Sequence, residues 1–184
     1  DKIRHQQQQL NNRFERAENQ TALRLIVALA KSIVDMESGQ RGFLITGKAE
    51  FLQPFEQGLS DSKKYLEELR EVTRGGYDAR EMAAKIDRLR EKTEQWQEQA
   101  GKPEIALRRT LNRAGSSMED VIRMLEEGAG RHYIDNIRTQ LKAFIEVEES
   151  LIRERAATSQ AAVDTTLSQT LFGTLLTGLL TLLV

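Results

Sequence analysis

Seven positions in the last third of the chain, Ile134, Ile137, Leu141, Phe144, Glu148, Leu151 and Arg155, are spaced 3, 4, 3, 4, 3 and 4 residues apart. Only a helix puts such a set on one face, because its 3.6-residue turn brings i+3 and i+4 into line. Ile26, Ala30, Ile33, Glu37 and Leu44 form a second stripe of the same kind. A chain with two such faces must bury one helix against another. Composition points the same way: 30% charged residues, 5% aromatics and only 2 prolines in 184 residues. That is the profile of a helical bundle or coiled coil, with few bulky anchors for a wide core.

Apolar residues recur at helical spacing from Leu10 and Phe14 through Leu23 to Leu44, which predicts one long helix ending near Thr46-Gly47. A second helix is expected from Glu50 to Thr73, with Pro54 tolerated in its first turn and a turn at Gly75-Gly76. Asp78 reads as the N-cap of a third helix running to about Gln99. Gly101-Lys-Pro103 is expected to break or kink it, and Gly115-Ser116 and Gly128-Ala-Gly130 to punctuate the segments that follow. A final long helix begins near Arg131. At ~1.5 Å per residue the first and last helices each reach roughly 60 Å. A single rod over 78–127 would be ~75 Å long and overshoot, so reversals are expected at both Gly101-Pro103 and Gly115-Ser116. The fold class predicted is all-α: an elongated antiparallel bundle, four-helix-bundle-like, with long first and last helices.

Leu171–Val184 carries no charge. It supplies about two-thirds of the ~20 apolar residues that span a bilayer, with Gly173 and Gly178 as membrane helices allow. It is read as the start of a truncated transmembrane helix over 171–184, following a helical-bundle domain over 1–170. An apolar terminal helix in a soluble core is the alternative. The formal net charge of -1 recommends no nucleic acid. Cysteine is absent, which excludes disulfides and thiol chemistry. His5 and His132 stand apart, neither with a glutamate three residues before it, so no metal, no cofactor and no enzyme activity is expected of this segment.

Asp35–Phe55, DMESGQRGFLITGKAEFLQPF, resembles the signature of the third class of CHASE domains. Three further pieces follow in the expected order: Trp96 with Pro103 and Ile105, Gly130 with Ile134–Arg138, and Phe144 with Glu148, Glu149, Leu151 and Arg155. Gly39, Gly42, Thr46 and Gly47 belong to the first piece. The resemblance covers roughly residues 20–170. It implies a helical sensory bundle between two membrane spans of a bacterial signalling receptor, coupled to a histidine kinase, a nucleotide cyclase or a chemoreceptor rod. It implies no particular ligand.

Glu37 and Arg41 make an i,i+4 pair on an otherwise apolar stripe, worth ~0.3–0.5 kcal/mol if exposed. Gly39 and Gly42 flatten the neighbouring surface for close helix approach. The favoured reading is a packed helix end held by a satisfied charge, with a ligand-contacting arginine as the competitor. A phosphate cradle fails, since no strand precedes the stretch. Glu148 and Arg155 likewise sit on the apolar seam. If the first and last helices end level at a membrane, facing positions sum to about 170, which sets Glu148 near Arg24 and Arg155 near Glu15 or Glu18. Such a polar layer fixes register, and it also makes helix displacements discrete. Trp96, Tyr65, Tyr77 and Tyr133 could line a small pocket, though core or surface roles suffice.

The reading that results is the input domain of a transmembrane receptor. It is expected to be a homodimer, held in the bacterial inner membrane by flanking spans and facing the periplasm. A histidine kinase is the output expected, and a small-molecule or protein ligand the stimulus. The competing class is a membrane-tethered helical spacer that acts through contacts alone.

Overall fold

The computed structural model describes residues 2–76, 79–115, 117–127 and 130–182, with side chains beyond residue 157 described only at Thr165. The expected helix N-cap at Asp78, together with Tyr77, Ser116, Gly128 and Ala129, lies outside the described residues. Six α-helices follow one another: α1 Lys2–Thr46, α2 Leu52–Val72, α3 Ala79–Trp96, α4 Lys102–Ala114, α5 Met118–Glu127 and α6 Gly130–Leu182. No strand occurs among the described residues. The chain divides into two compact units, 1–146 and 147–184.

In the first unit, hydrogen bonds and close approaches fix the directions of α1–α4 and of the start of α6. α1 closes at Gly47, whose φ of 70° is the left-handed value side chains resist. The Gly47 amide donates to Phe43 O at 2.7 Å, and Thr46 Oγ1 turns back to donate to Gly42 O at 2.7 Å. A 3-10 turn, Ala49–Phe51, leads into α2 with Pro54 in its first turn. α2 then returns antiparallel along α1. A Cβ on Gly39 would stand 2.7 Å from Phe51 O, and one on Gly58 would stand 2.6 Å from Ser32 O. Later residues of α2 thus meet earlier residues of α1. Arg90–Glu67 at 2.8 Å and Arg70–Asp87 at 2.5 Å set α3 antiparallel to α2 by the same logic.

The expected break at Gly101-Pro103 is absent. α3 passes through a π turn, Gln97–Gly101, directly into α4, and Gly101 keeps right-handed helical angles of -54° and -58°. Proline at the start of α4 lacks the amide that would have closed one i→i−4 bond, and the wider π turn lies just where that donor is missing. One reversal therefore suffices. Gly115, with φ of 66°, closes α4. The overshoot argument counted residues 78–127 as one rod. The actual rod, 79–114, is ~54 Å long and finishes level with α1. The proof is a constant offset: Gln40 bonds Glu104, Leu44 bonds Arg108 and Gly47 bonds Asn112, with separations of 64, 64 and 65 residues. α1 and α4 are parallel. The start of α6 runs antiparallel to α3, with Tyr133 bonded to Gln99 and Phe144 under Lys85.

The core is a seam of Ile26, Leu29, Ile33 and Met36 from α1, Leu66 and Leu69 from α2, Ile86 and Leu89 from α3, and Ile134, Ile137 and Leu141 from α6. Each such side chain contributes about 1.5–3 kcal/mol when fully buried. The all-α antiparallel bundle is as expected. Leu10 and Phe14 are not part of its core: both are exposed, on the stretch of α1 that precedes Ala22, the first buried residue among those described.

In the second unit, residues 147–182 continue as helix. Glu149 pairs with Arg153 at 3.4 Å, Leu151 is half-buried, and Glu148 is 1% exposed. The Arg155 side chain lies outside the described residues, as do the side chains of the apolar stretch from Leu171. Among the described residues no helix is long and apolar enough to cross a membrane.

Candidate functional site

The last three turns of α1 present two faces. One carries Gly39 and Gly42 against the 3-10 turn and α2. The other carries Glu37, Gln40, Arg41 and Leu44, and it borders a cavity of about 510 Å³. Trp96, Glu104 of α4, Ile122 of α5 and the first residues of α6 complete the wall. The site thus lies wholly within the first unit, at the end where α1 and α4 finish level.

Glu37 is the hinge of this wall. Its side chain is 12% exposed and accepts from Arg41 at 3.5 Å and, more closely, from Arg138 of α6. The i,i+4 partner read from the sequence is therefore the weaker one: 3.5 Å is at the limit of a hydrogen bond, and Arg41 keeps 58% of its side chain exposed. The Glu37–Arg138 pair faces α1 to α6 at positions whose numbers add to 175. That is five residues, rather more than one turn, from the sum of about 170 expected from equal helix lengths.

Gln40 is buried and donates through Nε2 to Glu104 Oε2 at 2.7 Å. Glu104 also accepts from the Gly130 amide at the start of α6. Burial pushes the Glu104 carboxyl above the usual glutamate range, and these two neutral donors offset that only in part. No cationic side chain pairs with Glu104 among the described residues. The carboxylate ties three helices together without a counter-charge.

Arg108 closes the end of α1. It is buried, donates through Nε to Leu44 O at 2.7 Å and bonds Asn112, which in turn donates to Gly47 O at 3.0 Å. A cation on the last carbonyls of a helix satisfies orphan acceptors and complements the dipole.

Trp96 is 0% exposed, stacks obliquely on Phe55 with ring centroids 6.1 Å apart, and borders the cavity. Its indole N–H has no acceptor among the described residues. An unmet buried donor costs about 1–3 kcal/mol. It stands at the residue that opens the π turn, so an unmet buried donor adjoins the cavity.

The structure brings Glu37, Arg41 and Trp96 to one cavity and places Gly39, Gly42, Thr46 and Gly47 in the scaffold that shapes it. Pro103 is exposed in the first turn of α4. Tyr133 reaches Gln99 beside the site, whereas Tyr65 is half-buried on α2. Sequence reasoning missed Gln40, Glu104, Arg108 and Asn112. Arg138 stood in the quoted sequence pieces but not as the partner of Glu37.

No curated protein and no solved structure matches the chain. A family model described as the CHASE3 domain matches residues 12–158, which takes in α1 from its eleventh residue onward, all of α2–α5, the Glu37–Arg138 pair and the Trp96 cavity. The chain belongs to the CHASE3 domain family, a family of extracytoplasmic sensory domains of signalling receptors.

Proposed function

We propose that this domain is the ligand-responsive input of a bacterial inner-membrane receptor, facing the periplasm between two membrane spans and controlling a histidine kinase. The observation that carries the reading is the cavity bordered by Glu37, Trp96 and Glu104, where α1, α4, α5 and α6 meet. α1 and α6 are the two helices that would run to the membrane, and Glu37–Arg138 couples them beside the cavity. An occupant that binds one α1–α6 packing tenfold better than another biases the two by about 1.4 kcal/mol, enough to set an output. The receptor works as a homodimer in this reading. Ile3, Leu10 and Phe14, exposed and spaced 7 and 4 apart on α1, supply an apolar stripe for a second copy.

The test is autophosphorylation of the full-length receptor in membranes, with Ile45→Trp filling the cavity from its rim. Output locked high or low, and no longer responsive, is expected. Unchanged output with a stably folded variant would refute control through this cavity and favour a passive helical spacer.

A further inference from the structure

The charges around the cavity specify a chemical class of ligand, an inference that rests on the cavity being the input site. Glu104 is half-buried, and among the described residues its only partners are the neutral Gln40 amide and Gly130 N–H. Each of those partners is followed directly by an arginine: Arg41 after Gln40, and Arg131 after Gly130. Both arginines border the same cavity as Glu104. Arg131 has no ion-pair partner among the described residues, and Arg41 has only its long contact to Glu37. The cavity therefore offers an acid that lacks a cation beside two guanidinium groups that lack a close anion. A ligand carrying only a cation would face both arginines, and one carrying only an anion would face Glu104 and the neighbouring Glu126. Opposite charges separated by a few bonds satisfy both arms at once.

The remaining wall is apolar. Ile45 and Ile122 are about half-exposed at the cavity, uncovered by any other part of the first unit, and Leu44 and Ile134 are buried behind them. The volume, about 510 Å³, falls within the ~300–1,000 Å³ of small-ligand pockets and is too small for a folded partner. The Trp96 N–H adds a second pointer to a ligand, a buried donor at the cavity wall without an acceptor among the described residues. A packing shift that turns the indole toward an occupant's oxygen would satisfy it.

We propose that the cavity binds a small zwitterion of the amino-acid class with an apolar side chain, its ammonium on Glu104 and its carboxylate between Arg131 and Arg41. Trp96 is the single tryptophan of the chain, so its emission reads this wall alone. The experiment titrates the whole chain with leucine, with 4-methylpentanoate, which lacks the amine, and with 3-methylbutylamine, which lacks the acid. Leucine is expected to change Trp96 emission saturably, with each single-charge analogue at least tenfold weaker. Glu104→Gln should weaken leucine at least tenfold while 4-methylpentanoate binds as well or better, and Arg131→Gln should weaken leucine likewise while 3-methylbutylamine binds as well or better. Thermal melts of both variants check that they fold. Equal binding of leucine and either analogue, or no response to leucine, overturns the zwitterion assignment. If leucine fails while Ile45→Trp still shifts receptor output, the ligand class falls and the cavity reading stands.

Discussion

The two faces of α1 near its end are built on opposite principles. Toward α2 the helix is pared down to glycine, so that backbone meets backbone: Gly39 against Phe51 O and Phe55 N, Gly58 against Ser32 O. Toward α4 and α6 the same turns carry glutamate, glutamine and arginine around open space. The first face has no room for a second arrangement. The second holds, among the described residues, a carboxylate without a counter-cation and, at the start of a π turn, an indole without an acceptor. A sensor needs both kinds of surface: a rigid frame that fixes register, and a wall whose packing an occupant can change.

The largest effect should come from breaking the rigid face. Gly58→Val would drive a branched side chain into Met36 and Ser32 O, and Gly39→Val would meet backbone on two sides. Each is expected to destabilise the domain by about 3 kcal/mol or more, combining overpacking with forced helix separation. Urea denaturation measures it, and a loss below ~1 kcal/mol would show that α2 stands off more easily than the close approach implies.

Removing the cap that holds the end of α1 comes next. Arg108→Ala leaves Leu44 O without its donor and frees Asn112, for an expected loss of about 1.5–3 kcal/mol. Arg108→Lys should recover only part of this, since a single ammonium cannot reproduce the guanidinium fork. Full recovery would reduce the role of Arg108 to charge alone.

Glu37→Gln should cost less, about 1 kcal/mol, because its partners Arg41 and Arg138 remain half-exposed and can turn to water. Its sharper effect is expected in the coupling of α1 to α6, read as altered receptor output at nearly unchanged stability. A double-mutant cycle with Arg138→Gln measures the pair directly.

The smallest effect carries a sign. Burial raises the Glu104 carboxyl in the folded chain, so the folded state holds its proton more tightly than the unfolded one. Its contribution to stability is present below the ordinary glutamate value of 4.5 and is lost as pH rises through the higher folded value. Melting of wild type and Glu104→Gln from pH 4 to 7 should show the variant gaining relative to wild type as pH rises. A constant difference across that range would mean that Glu104 is solvated like a surface acid. Glu37, Glu126 and the arginines of the wall are present in both chains and cancel.

These contrasts also mark what the sequence could convey. The rigid face was legible, because Gly39 and Gly42 interrupt an otherwise good helix and sterics leave few reasons for that. Glu37 was legible too, as a charge on an apolar stripe. The polar face was not, because its partners lie on α4, reached only through the 64-residue offset between parallel helices. No local period encodes such an offset, and Gln40, Glu104 and Arg108 look like ordinary helix residues. Gly101-Lys-Pro103 misled for a different reason: the same residues that end a helix can be absorbed by a π turn when both flanks are packed. Phe14 and Leu10 followed the helical period onto a face that the first unit leaves exposed. The pairing expected between α1 and Glu148 or Arg155 joins residues of the two units and stays an expectation.

Native-state hydrogen exchange on the whole chain tests the central contrast most directly. Amides at Ile33–Met36 and Phe55–Leu59 should exchange only through global unfolding, while those of Gln97–Gly101 and the first turns of α6 should open locally at distinctly lower free energy. Uniform protection across both faces would contradict a responsive wall on a rigid frame, and with it the sensory role assigned to the cavity.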